Sequence, residues 1–125
     1  MNLFEKACEA ITEYINEHEV ERNRDKTRLE VIDIARKKYP EIKPDGSNMS
    51  PSDICYNYCN GYQMTKDFQN WPHALEKIDK ATYRLLGVKY PYDGNVLWNN
   101  KKSGKTEIFG MWKDGKFYEE NGNGG

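Results

Sequence analysis

The groups with chemistry to offer gather in one run, Ser50-Pro51-Ser52-Asp53-Ile54-Cys55-Tyr56-Asn57-Tyr58-Cys59-Asn60-Gly61. It holds amides, phenols and thiols but no Lys or Arg. These groups donate and accept hydrogen bonds, which is the chemistry of recognition. The run is punctuated as a short helix. Ser50 suits the N-cap, Pro51 the first turn, and Asp53 sits where it closes a capping box. Gly61 supplies a left-handed stop. On such a helix Ile54 and Tyr58 share one face and Cys55 and Cys59 another, which leaves Tyr56, Asn57 and Asn60 pointing elsewhere. Two readings stay open. The helix is a reading head for a partner, or a structural clip whose Asn and Tyr side chains satisfy nearby backbone.

Metal chemistry finds little support. A structural zinc takes four ligands in paired short spacings, and Cys8, His18 and His73 form no second pair beside Cys55 and Cys59. The thiols read as buried packing groups, and no metal or cofactor is expected. Catalytic motifs are missing as well: there is no nucleophile elbow, phosphate-cradling glycine loop or His-Glu-x-x-His. Glu76, Lys77 and Asp79 evoke a nuclease-like cluster only if a second carboxylate-bearing strand lies beside them. The expectation is a binding protein without catalytic activity.

The elements that must carry these groups follow from periodicity. Leu3, Phe4, Ala7, Cys8, Ile11, Tyr14, Ile15 and His18 repeat at threes and fours, predicting an amphipathic helix over 3–19. Its other side carries Glu5, Glu9, Glu13, Glu17 and Glu21, an acidic ridge with spacing of four. Glu21 to Lys26 reads as a charged turn. Thr27 with Glu30 caps a second helix, whose buried face is Leu29, Val31, Ile32, Ile34, Ala35 and Tyr39 and which Pro40 stops. Residues 41–49 are a loop and 62–71 are irregular. Residues 73–87 fit either one helix or two strands, 74–78 and 82–86. Val96 to Trp98, Thr106 to Trp112 and Lys116 to Tyr118 predict a meander, with turns at Ser103-Gly104 and Asp114-Gly115. Ile108, Phe109, Met111, Trp112, Phe117 and Tyr118 are its expected packing residues.

The result is one α+β domain over 1–120 with a flexible tail at 121–125. Two amphipathic helices and a short motif helix lead into an antiparallel meander or wing. The expected core comprises Leu3, Phe4, Ile11, Ile15, Val31, Ile34, Ile54, Tyr58, Leu75, Leu85, Trp98, Phe109 and Trp112. No apolar run approaches a membrane span, and three Cys without an export signal suggest reduced thiols in a cytoplasm. The net charge of -1 gives no global attraction to nucleic acid, but charge is unevenly distributed. Lys77 to Lys116 carries nine Lys and Arg against four Asp and Glu, leaving +5. The first 22 residues carry six Glu against Lys6 and Arg22, leaving -4.

At Pro51-Ser52-Asp53 followed by Cys55-Tyr56-Asn57, the chain resembles an uncharacterised bacterial and phage domain family with a Pro-Ser-Asp-x-Cys-Tyr-Asn signature. The likeness continues through Trp71-Pro72, Tyr83-Arg84-Leu85-Leu86-Gly87 and Tyr90-Pro91-Tyr92-Asp93-Gly94, about half the chain. It implies a small helical and β module, winged-helix-like, found alone or fused to nuclease-like proteins. It also implies that 73–87 forms strands, with Tyr83 to Gly87 entering the wing. The leading expectation is duplex DNA binding, with Tyr56, Asn57, Asn60, Arg84, Lys101, Lys102 and Lys105 as the contact set. Asn57 and Asn60 would offer bidentate contacts to adenine, and the lysines would meet phosphates. The alternative is a protein-interaction module, such as a small phage-encoded inhibitor of a host defence nuclease. Its acidic ridge of Glu5, Glu9, Glu13, Glu17 and Glu21 would imitate a phosphate row, with Trp98, Trp112, Tyr90 and Tyr92 as anchors.

Overall fold

In the computed structural model, which describes residues 1–60 and 67–119, the chain starts with a capping box. Asn2 Oδ1 accepts from the Glu5 amide at 2.8 Å, and Glu5 Oε1 accepts from the Asn2 amide at 2.9 Å. Helix α1 (Leu3–Glu17) follows and buries Ala7, Cys8, Ala10, Ile11 and Ile15. The second box forms as its residues predict: Thr27 and Glu30 bind each other's amides at the start of α2 (Arg28–Lys38). Val31, Ile32, Ile34 and Ala35 are buried on α2, whereas Leu29 is 60% exposed, a correction to the expected buried face. Leu29 lies on the first turn, away from the stripe that meets α1.

The stretch expected as a charged turn becomes regular at its end. Strand β1 (Asp25–Thr27) pairs with β3 (Thr82–Leu85), which also pairs with β2 (Leu75–Lys77), giving an antiparallel sheet in the order β1-β3-β2. Residues 73–87 are therefore two strands, and Asp79 Oδ1 secures their turn by accepting from the Ala81 amide at 3.0 Å. The second sheet is the predicted meander, β4 (Gly94–Asn100), β5 (Lys105–Lys113) and β6 (Lys116–Glu119). Asp114 and Gly115 both take positive φ, 51° and 77°, as a two-residue hairpin with matched twist requires. Trp112 and Phe109 pack inward, but Ile108, Met111 and Tyr118 project outward, 44–50% exposed, which corrects their expected packing role. Ile108 and Met111, three residues apart, both face outward because the β4–β5 register shifts between Val96 and Leu97, passing from Gly110 to Ile108 and leaving Phe109 as the extra residue.

The motif segment departs furthest from expectation. Its box forms, with Ser50 and Asp53 bonding reciprocally, yet the helical part is only a 3-10 turn, Pro51–Ile54. Cys55 is already extended, at φ -94° and ψ 143°. The reason is competition for backbone hydrogen bonds. The Tyr56 amide donates to Leu75 O (2.8 Å), the Leu97 amide to Asn57 O (3.0 Å) and the Cys59 amide to Leu97 O (2.8 Å). One edge of each sheet is thus completed by this segment, which a helix could not do. Cys55 and Cys59 therefore do not share a helix face. Both are buried, as is Cys8, and burial pushes the Cys59 thiol up to about 12 and the other two above their usual range. Gly61, the expected stop, and the 121–125 tail lie outside the described residues.

Among the described residues, two hydrophobic clusters result. One is mainly aliphatic, with Ile11, Ile15, Val31, Ile54, Leu75 and Leu85 between the helices and the first sheet. The other is mainly aromatic, with Tyr56, Phe68, Tyr92, Phe109 and Trp112 under the second sheet. Among the described residues, no helix is long and apolar enough to cross a membrane.

Candidate nucleic-acid interface

Because β4 is flanked by the extended motif segment, Tyr58, Cys59 and Asn60 lie beside Trp98, Asn99 and Asn100. With Lys101 and Lys102 they line an open cleft of about 750 Å³. The lysines are held there by the turn that carries them. Asn100 Oδ1 accepts from the Lys102 amide at 2.9 Å, and the Gly104 amide, at a residue with φ 72°, donates to Asn100 O at 2.8 Å. Asn100 Nδ2 in turn donates to Glu107 at 3.0 Å. On the opposite wall, Tyr58 OH accepts from Asn99 Nδ2 at 3.3 Å, and the Lys77 ammonium stands 4.4 Å from the Tyr58 ring centre. Asn60 Nδ2 donates to Asp53, whose carboxyl is pushed up by burial. Among the described residues, the cleft therefore combines two exposed cations, two aromatic rings and three amides. That set can meet phosphate oxygens with charge and base faces with rings.

Of the expected DNA-contact residues, Asn60, Lys101 and Lys102 come together here. Lys105 is exposed at the start of β5, on the same turn. The other three are engaged within the protein. Tyr56 is buried, and its hydroxyl donates to Gly87 O (2.7 Å) and accepts from the Tyr90 amide (3.0 Å); burial pushes its pKa up to about 12. Asn57 acts as a short strand: its amide donates to Lys77 O at 2.8 Å and accepts from the Lys77 N–H at 2.7 Å. Arg84, central on β3, clamps Asp25 and Glu76 across both neighbouring strands. The structure thus corrects the picture of Tyr56, Asn57 and Asn60 projecting together from a helix. For Tyr56 and Asn57 the geometry is that of the clip.

The acidic ridge is also largely engaged. Glu5 closes the N-terminal box, Glu9 and Glu13 hold Lys38, and Glu21 meets Lys26 and Arg24. The Tyr39 hydroxyl donates to Glu9, and this bond, with Lys38, holds the Glu9 carboxyl below its usual range. Glu17 is exposed at the helix end.

A second cleft, about 510 Å³, was not anticipated. Trp71-Pro72 and Tyr90-Pro91 form its walls and Tyr56, His73 and Trp112 its floor. Each aromatic–Pro pair is visible in the sequence as a turn. Their juxtaposition depends on the fold, as the Tyr90 amide is tied to Tyr56 and the Trp71 indole donates to Asp53 O at 2.7 Å.

No curated protein and no solved structure matches the chain. One family model does, across residues 6–119, so nearly the whole of both sheets and both helices falls within it: the chain belongs to the family described as a domain of unknown function (DUF7225).

Proposed function

We propose that the protein is a non-catalytic nucleic-acid-binding module, with duplex DNA as its leading ligand. The observation that carries this reading is the convergence of Lys101 and Lys102, on a turn organised by Asn100, with Tyr58 and Trp98 in one open cleft. The +5 charge of the surrounding half adds long-range attraction for phosphate despite the net charge of -1. Topology supports the same reading. We read helix α1, strand β1, helix α2, a 3-10 turn in the place of a recognition helix, and the β2–β3 hairpin as a winged-helix-like plan, a reading that the β1-β3-β2 strand order supports. With the recognition helix reduced to one turn, contact shifts to the β4–β5 turn. The alternative, protein docking through the acidic helix, is the weaker reading because Glu9 and Glu13 are already engaged with Lys38.

Fluorescence anisotropy with a labelled random duplex, at low and at physiological salt, tests this. Binding is expected to weaken steeply with salt, and Lys101→Glu with Lys102→Glu is expected to lower the salt slope by about two. Absence of binding at low salt, or identical binding by the double variant, overturns the assignment to this cleft.

A further inference from the structure

We propose that the second cleft, between Trp71-Pro72 and Tyr90-Pro91, binds a nucleotide by stacking its base and pairing its phosphate with Lys89. This inference rests on a different surface from the one above and does not depend on it. The cleft volume of about 510 Å³ lies in the range of small-ligand sites. Its rings are fixed in place by their polar edges. Trp71 Nε1 donates to Asp53 O and Trp112 Nε1 to Tyr56 O, both at 2.7 Å, while the Tyr56 hydroxyl spans Gly87 and Tyr90. Trp112 and Tyr56 are buried, 3% exposed each, and close the floor, while the half-buried rings of Trp71 and Tyr90 stand at the walls, which suits a planar π ligand. Preorganised rings also lose little conformational freedom when a ligand enters.

Lys89 supplies the charge. It is exposed at the mouth and holds a positive φ of 56°, uncommon for a residue with a side chain. The turn is pinned on its N-terminal side, where the Gly87 amide donates to Ala74 O at 2.9 Å and the Val88 amide to Thr12 Oγ1 at 3.1 Å. Asp114, the carboxylate on the same mouth, opposes a large anionic charge, so one phosphate fits better than a triphosphate. A proline-rich peptide also favours aromatic–proline walls, but brings no anion for Lys89. A base with its phosphate can come from a free nucleotide or from an unpaired residue of a strand.

Tryptophan fluorescence reads this site directly in a Trp98→Phe protein, where Trp71 and Trp112 are the reporters. The titrants are AMP, GMP, CMP and UMP, adenosine, a proline-rich peptide, and a DNA hairpin with one bulged adenine beside its fully paired counterpart. Saturable quenching by at least one mononucleotide is expected, weakened about tenfold or more by Tyr90→Ala. Lys89→Glu is expected to weaken AMP while leaving adenosine unchanged. Tighter binding of the bulged hairpin than of AMP assigns the site to a strand residue, and the reverse assigns it to a free nucleotide. No saturable quenching by any nucleotide, or quenching by the peptide alone, overturns the proposal. Tyr90→Ala is paired with Lys89→Glu because the latter changes only an exposed side chain and leaves the fold intact. Lys101→Glu with Lys102→Glu should leave this quenching unchanged, so failure of either site shows separately.

Discussion

The two halves of the molecule solve the same packing problem with different residues. The helical half packs Ile, Val and Leu between α1, α2 and the first sheet, and pairs surface charges of α1 with Lys38 on α2 and Glu41 in the loop after it. The second half packs rings: Tyr56 stacks on Tyr92 at 5.4 Å, and Phe68 meets Phe109 edge-on at 5.6 Å. It leaves lysines, outward apolar residues and two clefts exposed. Aliphatic packing with internal charge pairing makes a self-sufficient scaffold. An aromatic core with unspent cations makes a surface that can accept a ligand. On the function proposed above, the contrast separates support from recognition within one short chain.

The sharpest way to break that comparison is to cut into each core. Trp112→Ala removes the ring at the centre of the aromatic cluster and orphans Tyr56 O, so a loss of about 3–5 kcal/mol is expected. Ile15→Ala in the aliphatic cluster should cost about 2–5 kcal/mol. Urea unfolding followed by both far-ultraviolet circular dichroism and tryptophan fluorescence measures the two. If the halves form one cooperative unit, each variant moves both signals together. If Trp112→Ala moves fluorescence alone, the aromatic half is a separate folding unit.

The next effect comes from the joint. His73 is 5% exposed, with Nδ1 3.1 Å from Cys55 O and Nε2 2.7 Å from Phe68 O, so its ring spans from the motif segment to the aromatic cluster. Burial outweighs these carbonyls and lowers its pKa to about 4, from 6.5. Between those values the unfolded chain binds a proton that the folded chain does not. Stability is therefore complete above pH 6.5 and is lost as pH falls toward 4, by up to about 3 kcal/mol. Asp53, whose carboxyl is raised by burial, titrates in the opposite sense, so the comparison with His73→Gln is the informative one. Denaturant midpoints from pH 7 to pH 4 should fall less steeply in the variant. Equal slopes would mean that burial does not change the proton affinity of His73 on folding.

Asn57 joins the same regions without a charge. Its amide replaces a strand partner for Lys77, so Asn57→Ala leaves a backbone donor and acceptor unpaired. A cost of about 1–3 kcal/mol is expected, with Asn57→Asp in between because it keeps the acceptor and loses the donor. Hydrogen exchange at the Lys77 amide should accelerate first. Protection unchanged there would mean that water serves as well as the amide does.

What the sequence disclosed follows the range of the interactions. The first helix, the Thr27–Glu30 box, the three meander strands and the Asp114-Gly115 turn rest on neighbours within a few residues, and all are present. The motif helix is not, because its backbone amides are claimed by Leu75 and Leu97, respectively about 20 and 40 residues away. Strand β1, at three residues, is too short to show a period and exists through Arg84 and Tyr83 on β3. In the first cleft the lysines are legible from charge and turn spacing, and Trp98 reads as both core and anchor; Tyr58 reads as core alone, and both rings do pack against the clusters while lining the cleft. In the second, both aromatic–Pro pairs were visible, yet nothing local says that they face one another.

The smallest expected effect tests whether the helical half neutralises its charges by packing or by ion pairing alone. Glu9 is held below its usual carboxylate range first by the Tyr39 hydroxyl and then by Lys38. Tyr39→Phe should therefore raise the Glu9 pKa more than Lys38→Ala does, as followed by carboxyl-carbon chemical shifts through a pH titration. Salt should reverse the order of neither, because a hydrogen bond between neighbours is screened less than a solvated ion pair. If Lys38→Ala shifts Glu9 more, α1 and α2 are joined at this edge mainly by exposed charge. The acidic ridge would then open as salt rises, and the helical half would be the more changeable of the two surfaces.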